Sequence, residues 1–394
     1  MKSIGLCMIA KNEAHVITRC LDSALPLIDF VLVVDTGSTD DTLEVVRKYL
    51  DDKKLPGEVI HEPWRDFAYN RNVALRRLRE HAEIDYAMML DADQILVYDA
   101  DFAPERFKKK LRHEIYELLL INGSKAVMVP GLARNNLEIF FKSELHEYPV
   151  FPPGSDRRPA RGLRIVEMHD GGRSRNPNKY RDDAAVLEKL LRQERDPFQI
   201  ARHTYHLAES YRECGEDEKA LRLYLERTKL GFSSEEIFLS YLYAGRLQIK
   251  LNHPGNEVLE TLLAAHKACP WRAEALHGAA MLCRMQGLHH LGYMLAAPGL
   301  RLEIPESGLL IENWVYDYAL LDEFSVLCYW TGRYQECFDA ATRILREGKI
   351  PEHERPRVQQ NADFAAAKLK EAKSRTAEQS DGGAITAPQP DTRS

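Results

Sequence analysis

Met88-Met89-Leu90-Asp91-Ala92-Asp93 is an apolar run that ends in two carboxylates on either side of one small residue. The apolar part reads as a strand, which puts both acids at the C-terminal edge of a sheet. Two carboxylates there can hold Mg2+ or Mn2+, ions that take hard oxygen ligands and fill other positions with phosphate oxygens and water. Ala92 leaves room for a substrate to approach. By itself the pattern is weak, because acids are common at strand ends and are usually only solvated.

A second stretch upstream sharpens it. Phe30-Val31-Leu32-Val33-Val34-Asp35-Thr36-Gly37-Ser38-Thr39-Asp40 is another apolar strand ending in an acid and a tight turn. Two such strands within the first hundred residues point to a nucleotide-sugar site. The letters Asp35-Thr36-Gly37-Ser38 also occur in aspartic proteases, which need two such loops in an all-β fold so that two carboxylates share a proton. This chain has one copy, followed by a helix pattern, so nucleotide contact at a strand end suits it better. No G-x-G-x-x-G follows the first strand and no G-x-x-x-x-G-K-[ST] occurs, which removes dinucleotide oxidoreductases and P-loop NTPases.

Around these runs, strand and helix patterns alternate. Residues 3–10 read as a buried first strand, without a cleavage-site pattern before Lys11-Asn12-Glu13. Helical spacing covers 13–23, 41–50 (with Thr39 or Asp40 as cap) and 69–79. Further strands are expected at 30–34, 59–60, 86–90 and 126–130, and loops at 149–159 and 171–174. This order implies a mostly parallel sheet with helices on both faces. From Lys179 onward the pattern is helical. Residues 198–215 and 218–224 form a helix pair resembling a tetratricopeptide repeat, whose period is about 34 residues. Degenerate copies are expected at 235–268, 270–305 and 314–348, with turn glycines Gly287 and Gly332. Such units bury one another's apolar faces. The other reading is an irregular helical bundle. The chain thus divides into 1–172 (sheet domain), 173–197 (linker helix), 198–372 (repeats) and 373–394 (a polar tail expected to be disordered).

The bulk numbers agree with two folded domains in 394 residues. A net charge of −6 lacks the basic excess of a nucleic-acid binder. No apolar run reaches the roughly 20 residues of a transmembrane helix. Seven scattered cysteines, without a C-x-x-C pair, are expected as free thiols in a reducing cytoplasm.

Taken in order, Cys7-Met8-Ile9-Ala10-Lys11-Asn12-Glu13, Val33-Val34-Asp35-Thr36-Gly37-Ser38-Thr39-Asp40, Asn70-Arg71-Asn72 and Leu90-Asp91-Ala92-Asp93 resemble the family 2 glycosyltransferases with the GT-A fold. With helical repeats behind them, the chain is similar to bacterial and phage-associated members that include the peptide S-glycosyltransferases of glycocin biosynthesis. The motifs cover roughly the first 170 residues. The fold class implied is an α/β GT-A domain followed by an all-α tetratricopeptide-like domain.

The resemblance implies roles for particular residues. Asp35 would contact the base or ribose of a UDP-like donor, and Asn12 and Glu13 would line the nucleoside pocket. Arg71 would lie near the donor; its other reading is a surface helix arginine. Asp93 would bind Mn2+ or Mg2+ directly, with Asp91 on the ribose or a metal-bound water, and His169 as a further ligand. Lys179 and Arg181 would contact the diphosphate, or are ordinary helix-start residues. An inverting transfer needs a base for the acceptor proton, for which His146 or Glu147 is the candidate. His203, His206, His289 and His290 read as structural. The implied activity is metal-dependent transfer of a hexose from a UDP-sugar to a peptide, protein or glycan, with the repeats docking the acceptor or forming a homodimer. Two rivals stand beside it: a repeat-based adaptor with an inert nucleotide-sugar domain, and a nucleotidyltransferase. The latter usually opens with a Gly- and Lys-rich loop, and residues 5–15 hold only Gly5 and Lys11.

Overall fold

The computed structural model describes residues 1–123, 125–305 and 308–381. They form two compact units. Among them, one comprises residues 1–240 (without 124) and 308–311, the other residues 241–305 and 312–381.

The first unit is built on a mixed sheet. Its strands are β1 (Ile4–Ala10), β2 (Phe30–Asp35), β3 (Gly57–His61), β4 (Tyr86–Met89), β5 (Gln94–Tyr98), β6 (Ile115–Asn122), β7 (Lys125–Arg134) and β10 (Arg157–Glu167); β8 (Phe140–Lys142) and β9 (Tyr148–Val150) pair separately. The main order is β3-β2-β1-β4-β7-β6-β10-β5. The β3-β2-β1-β4 half is parallel. Beyond it β7 pairs antiparallel with both β4 and β6, β10 runs parallel to β6, and β5 closes the edge antiparallel.

Alternation explains how β1 and β2 sit between two layers. Ile4, Leu6, Met8, Val31 and Val33 face one core with Ile17 and Leu21 of α1 (Ile17–Ala24) and Val46 of α2 (Thr42–Lys53). Cys7, Phe30, Leu32 and Val34 face the other core with Ala74, Leu75 and Leu78 of α3 (Phe67–Arg79). All six β2 residues are buried, and each such Val or Leu gains about 1.5–3 kcal/mol over exposure. A parallel crossover sends every strand of this half in one direction, so the ends of β1, β2 and β4 meet at one edge.

The sequence reading needs correction here. The sheet is mixed, and β5, β6 and β10 were not foreseen. The expected loop at 149–159 contains the end of β9 and the start of β10. The run Arg157-Arg158-Pro159 hid the strand; the ladder absorbs it through a register shift between Pro159 and Arg164. The expected loop at 171–174 is largely a short 3-10 turn, Gly172–Arg175. The N-cap of the helix Thr42–Lys53 is Asp41, not Thr39 or Asp40, though Asp40 Oδ1 accepts the Thr42 N–H at 3.1 Å.

Behind α4 (Pro104–Lys110), the helices are α5 (Lys179–Gln193), α6 (Pro197–Glu213) and α7 (Asp217–Arg227). They belong to the first unit, although the sequence reading placed the boundary at 172. Leu145, in the loop after β8, packs with Ala184, Leu187 and Leu207 of α5 and α6. The helix α8 (Ser234–Lys250) and its partners α9 (Gly255–Ala268), α10 (Glu274–Met285), α11 (His289–Gly299), α12 (Leu320–Trp330) and α13 (Tyr334–Glu347) follow. They match the expected helix pairs, with left-handed Gly287 and Gly332 at the turns. In the second unit Ala280, Ala296, Leu320 and Leu327 share one cluster, and small side chains let these helices approach closely. The last helix, α14 (Arg355–Asp381), runs through the first part of the expected tail. Residues 382–394 of that tail lie outside the described residues.

Leu32 is fully buried between β1 and α3. Leu32→Ala should cost about 2–5 kcal/mol, read as a lower urea midpoint with an unchanged slope.

Candidate active site

Three loops meet at the C-terminal edge of the parallel strands. After β1 the chain turns at Asn12, which adopts a left-handed φ of 59°. That turn lets Asn12 Oδ1 accept the Thr39 N–H at 2.7 Å, while Asn12 N donates to Ser38 Oγ at 3.0 Å. Next, the Glu13 carboxylate accepts the Gly172 N–H at 3.0 Å. The loop after β10 is thereby stitched to the loops after β1 and β2. Arg19 of α1 adds a bidentate pair to Asp170, both bonds 2.7 Å. Gly171 and Gly172 allow this approach: a Cβ on Gly171 would stand 2.8 Å from Asp93 Oδ2, and one on Gly172 2.9 Å from Asn12 O.

Asp35 lies beneath this junction, 1% exposed. Its carboxylate accepts the N–H groups of Gly37 and Ser38 and lies 3.0 Å from His61 Nδ1. Burial pushes its pKa up, but the hydrogen bonds from Ser38, His61 and Gly37 outweigh burial and leave it below the usual carboxyl value.

The acids after β4 sit in a tight turn closed by Asp91 N–H to Gln94 Oε1 (3.1 Å) and Gln94 N–H to Asp91 O (3.0 Å). Arg71, on α3, reaches them. Its Nη2 donates to Asp91 Oδ1 at 2.7 Å and its Nε to Glu147 Oε1 at 2.6 Å. Burial opposes its charge, yet Asp91 and Glu147 outweigh burial and hold the guanidinium protonated. Asp93 differs: burial and the nearby charge of Asp91 raise its pKa. Glu167, at the end of β10, is raised by burial and by Asp93 and Asp91 against the pull of His169. Glu13 is raised by burial first, with Asp93 adding to it. Three carboxyls above their usual range around one opening mark a region of uncompensated negative charge.

Two adjoining cavities open there. One, of about 670 Å3, is lined by Asn12, Thr36, Trp64, Arg65 and Phe67 among others. The second, of about 570 Å3, is lined by Asp91, Asp93, Glu167, His169 and Lys179, and by Glu209 and Glu213 of α6. Both are bordered by Ile9, Glu13, Phe67, Leu145, Arg173 and Asp183. Asn12 and Glu13 thus line the first cavity, whereas Asp35, expected on the base or ribose, is buried, bonded within its own turn and to His61, and lines neither cavity. Arg71, Asp91, Asp93, His146, Glu147, His169 and Lys179 line the second. Arg181 is exposed and lines neither.

Several expected roles change. The trio Asp91, Asp93 and His169 does not form a ready ligand set. Asp91 is tied to Arg71, and His169 Nε2 lies 2.8 Å from Asn122 Oδ1. Among the described residues, no three His, Cys, Asp or Glu side chains gather to hold a metal ion. His146 stacks on His206 with ring centres 3.9 Å apart and planes 3° off parallel. Burial, then His206, drives its pKa down to about 2, which makes it a very weak base. Glu147 is committed to Arg71. The sequence reading missed Arg173, a cation on both cavities whose guanidinium lies 4.6 Å from the Phe67 ring centre and pairs with Asp183. It stands in the loop expected at 171–174. The lining from α6 carries no local signal.

The model described as "Glycosyl transferase family 2" matches residues 6–105. Residues 6–105 are a glycosyltransferase family 2 domain. Similar proteins include a TPR repeat-containing protein of Synechococcus elongatus (30% identical over 153 residues, 37% of this chain and 35% of the relative). Others are an uncharacterized glycosyltransferase of Rickettsia typhi (29%, covering 32% and 41%) and the lipopolysaccharide core biosynthesis glycosyltransferase LpsC of Rhizobium meliloti (32%, covering 28% and 35%). The chain spans less than half the length of each. Solved structures match weakly: a crystal structure of MamA gives a TM-score of 0.36 at 12% identity, over 46% of this chain and 95% of that one. The repeat reading therefore rests on the helix pairs themselves. No helix among the described residues is long and apolar enough to cross a membrane, and all seven cysteines are free thiols.

Two outcomes follow for the family 2 domain. Arg71→Met should destabilise it by about 3 kcal/mol, because two carboxylates lose their counter-charge. The double variant Arg71→Met with Glu147→Leu should recover part of that loss in a urea titration. Asp35, whose pKa is depressed on folding, stabilises the domain above its unfolded value of about 3.9. That contribution is lost as pH falls through the folded value. Asp35→Asn should therefore flatten the acid limb of a stability–pH curve below about pH 4.

Proposed function

We propose that the chain is a glycosyltransferase that moves a sugar from a nucleotide-diphosphate donor, a UDP-sugar, to a saccharide or peptide acceptor. The observation that carries this reading is the placement of Asp91 and Asp93, in the turn after β4, on the acid-lined cavity that adjoins the one lined by Asn12 and Thr36. Breaking the bond to the diphosphate leaves a concentrated negative charge, which has to be met by fixed positive charge.

Of the expected trio, Asp93 is the oxygen donor on the second cavity that would hold Mn2+ or Mg2+; Asp91 and His169 line the same cavity but would first have to leave Arg71 and Asn122. When bound, the ion would neutralise the leaving diphosphate. Everything else falls to the chain's own side chains. Asn12 and Glu13 shape the nucleoside cavity and tie it to the loop after β10. Arg173 and Lys179 present cationic groups along the path of the diphosphate. Arg71 fixes the direction of the Asp91 carboxylate. The walls from α5 and α6 face the acceptor, and in an inverting transfer a carboxylate of this acid-rich wall takes the acceptor proton. His146 is unsuited to that task, since a group with so low a proton affinity cannot compete for it.

A saccharide acceptor draws support from LpsC, whose name assigns it to lipopolysaccharide core synthesis. Release of UDP from a panel of UDP-sugars, with Mn2+ and candidate acceptors, tests the reading. Asp93→Ala should lose at least about 10²-fold in turnover. Undiminished turnover by that variant would remove the cation role, and tight partner capture without any transfer by the wild type would favour an adaptor.

A further inference from the structure

We propose that helix α6 sets the geometry of the donor-side carboxylates through the loop at residues 143–148, with Glu147 as a positioning residue. This rests on the transferase reading above and concerns how its site is held.

The loop is strained. Ser143 and His146 adopt left-handed φ values of 78° and 52°. Non-glycine residues keep such conformations only where the surroundings over-determine them. The determinants come from one face of α6. His203 Nε2 lies 3.1 Å from Ser143 Oγ. Arg202 Nη2 donates to the His146 carbonyl at 3.1 Å, and its guanidinium lies 4.8 Å from the Tyr148 ring centre. Gln199 Nε2 donates to Tyr148 Oη at 2.6 Å. His206 supplies the flat surface on which the His146 ring rests. Residues on either side of Glu147 are thus pinned to the helix.

Glu147 passes this constraint on. Its Oε1 takes the Arg71 Nε–H at 2.6 Å, and Arg71 Nη2 holds Asp91 at 2.7 Å. A guanidinium is planar, so fixing one edge fixes the direction of the other. The result is a relay from helix to loop, then to Glu147, Arg71 and Asp91. The function of His146 in it is packing: a neutral aromatic plate against another. Glu147 already has a charge partner, and its place in the relay explains why a carboxylate stands there.

Calorimetric titration of UDP with Mn2+ into the full chain, without acceptor, separates the possibilities. Glu147→Gln and His206→Ala should weaken UDP binding about 10- to 100-fold, the usual range for outer partners of a ligand site. His206→Phe should restore most of the affinity, because a phenyl ring keeps the stack without the imidazole chemistry. In transfer assays the donor KM should rise while kcat at saturating donor changes far less. Wild-type UDP affinity in Glu147→Gln together with a collapsed kcat would make Glu147 a reacting group and overturn the proposal. Wild-type affinity in a folded His206→Ala, or no rescue by Phe, would overturn the brace from α6. If His206→Ala does not fold by circular dichroism, Glu147→Gln and His206→Phe decide. A wild type that binds no UDP would instead sink the transferase reading.

Discussion

Arg71 is the charge around which the acidic end of this domain is organised. Two carboxylates, one from the turn after β4 and one from a distant loop, converge on its guanidinium. Without that cation, Asp91, Asp93, Glu147 and Glu167 would crowd one opening with negative charge in a partly buried setting, where repulsion is weakly screened. With it, the negative charge is sorted. Asp91 and Glu147 share the guanidinium, while Glu167 takes the Asn122 side-chain N–H, and Asp93, raised first by burial and then by Asp91, lines the cavity beside them.

The sheet makes that sorting geometric. Parallel β1, β2 and β4 deliver three loops to one edge, and the short polar side chains in those loops bond to one another. Asn12 reaches Thr39, and Glu13 reaches Gly172. Each of these bonds closes a loop that would otherwise carry unpaired backbone donors. The cleft is therefore bounded by backbone fixed from two sides, which favours preorganisation over closure on binding.

Much of this was legible in the chain. Continuous apolar runs ending in Asp35 and in Asp91-Ala92-Asp93 announced buried strands and the acids at their ends, because both signals are local. The repeats announced themselves through turn glycines that need a left-handed backbone. What stayed hidden depends on long separations. Arg71 meets Glu147 across 76 positions, so no spacing rule could show that the glutamate serves a cation. His146 was a base candidate because the resemblance puts it where such a domain completes its site; its stacking on His206 comes from α6. Strand β10 was missed because Arg157, Arg158 and Pro159 break the alternation, and only the bulge in three dimensions accommodates them. Likewise, α5 to α7 join the sheet through Leu145, a single apolar residue in a polar loop.

Gly171 and Gly172 carry a final consequence. The backbone there runs so near Asp93 and the β1 loop that even a methyl group would collide on both counts. Main chain, with no side chain projecting, therefore covers one flank of Asp93. Substitution can reshape the neighbouring walls, where Arg173, Tyr180 and Glu209 line the cavity. The floor beneath the acid is closed to such experiment, since any residue larger than hydrogen would have to rebuild the junction first.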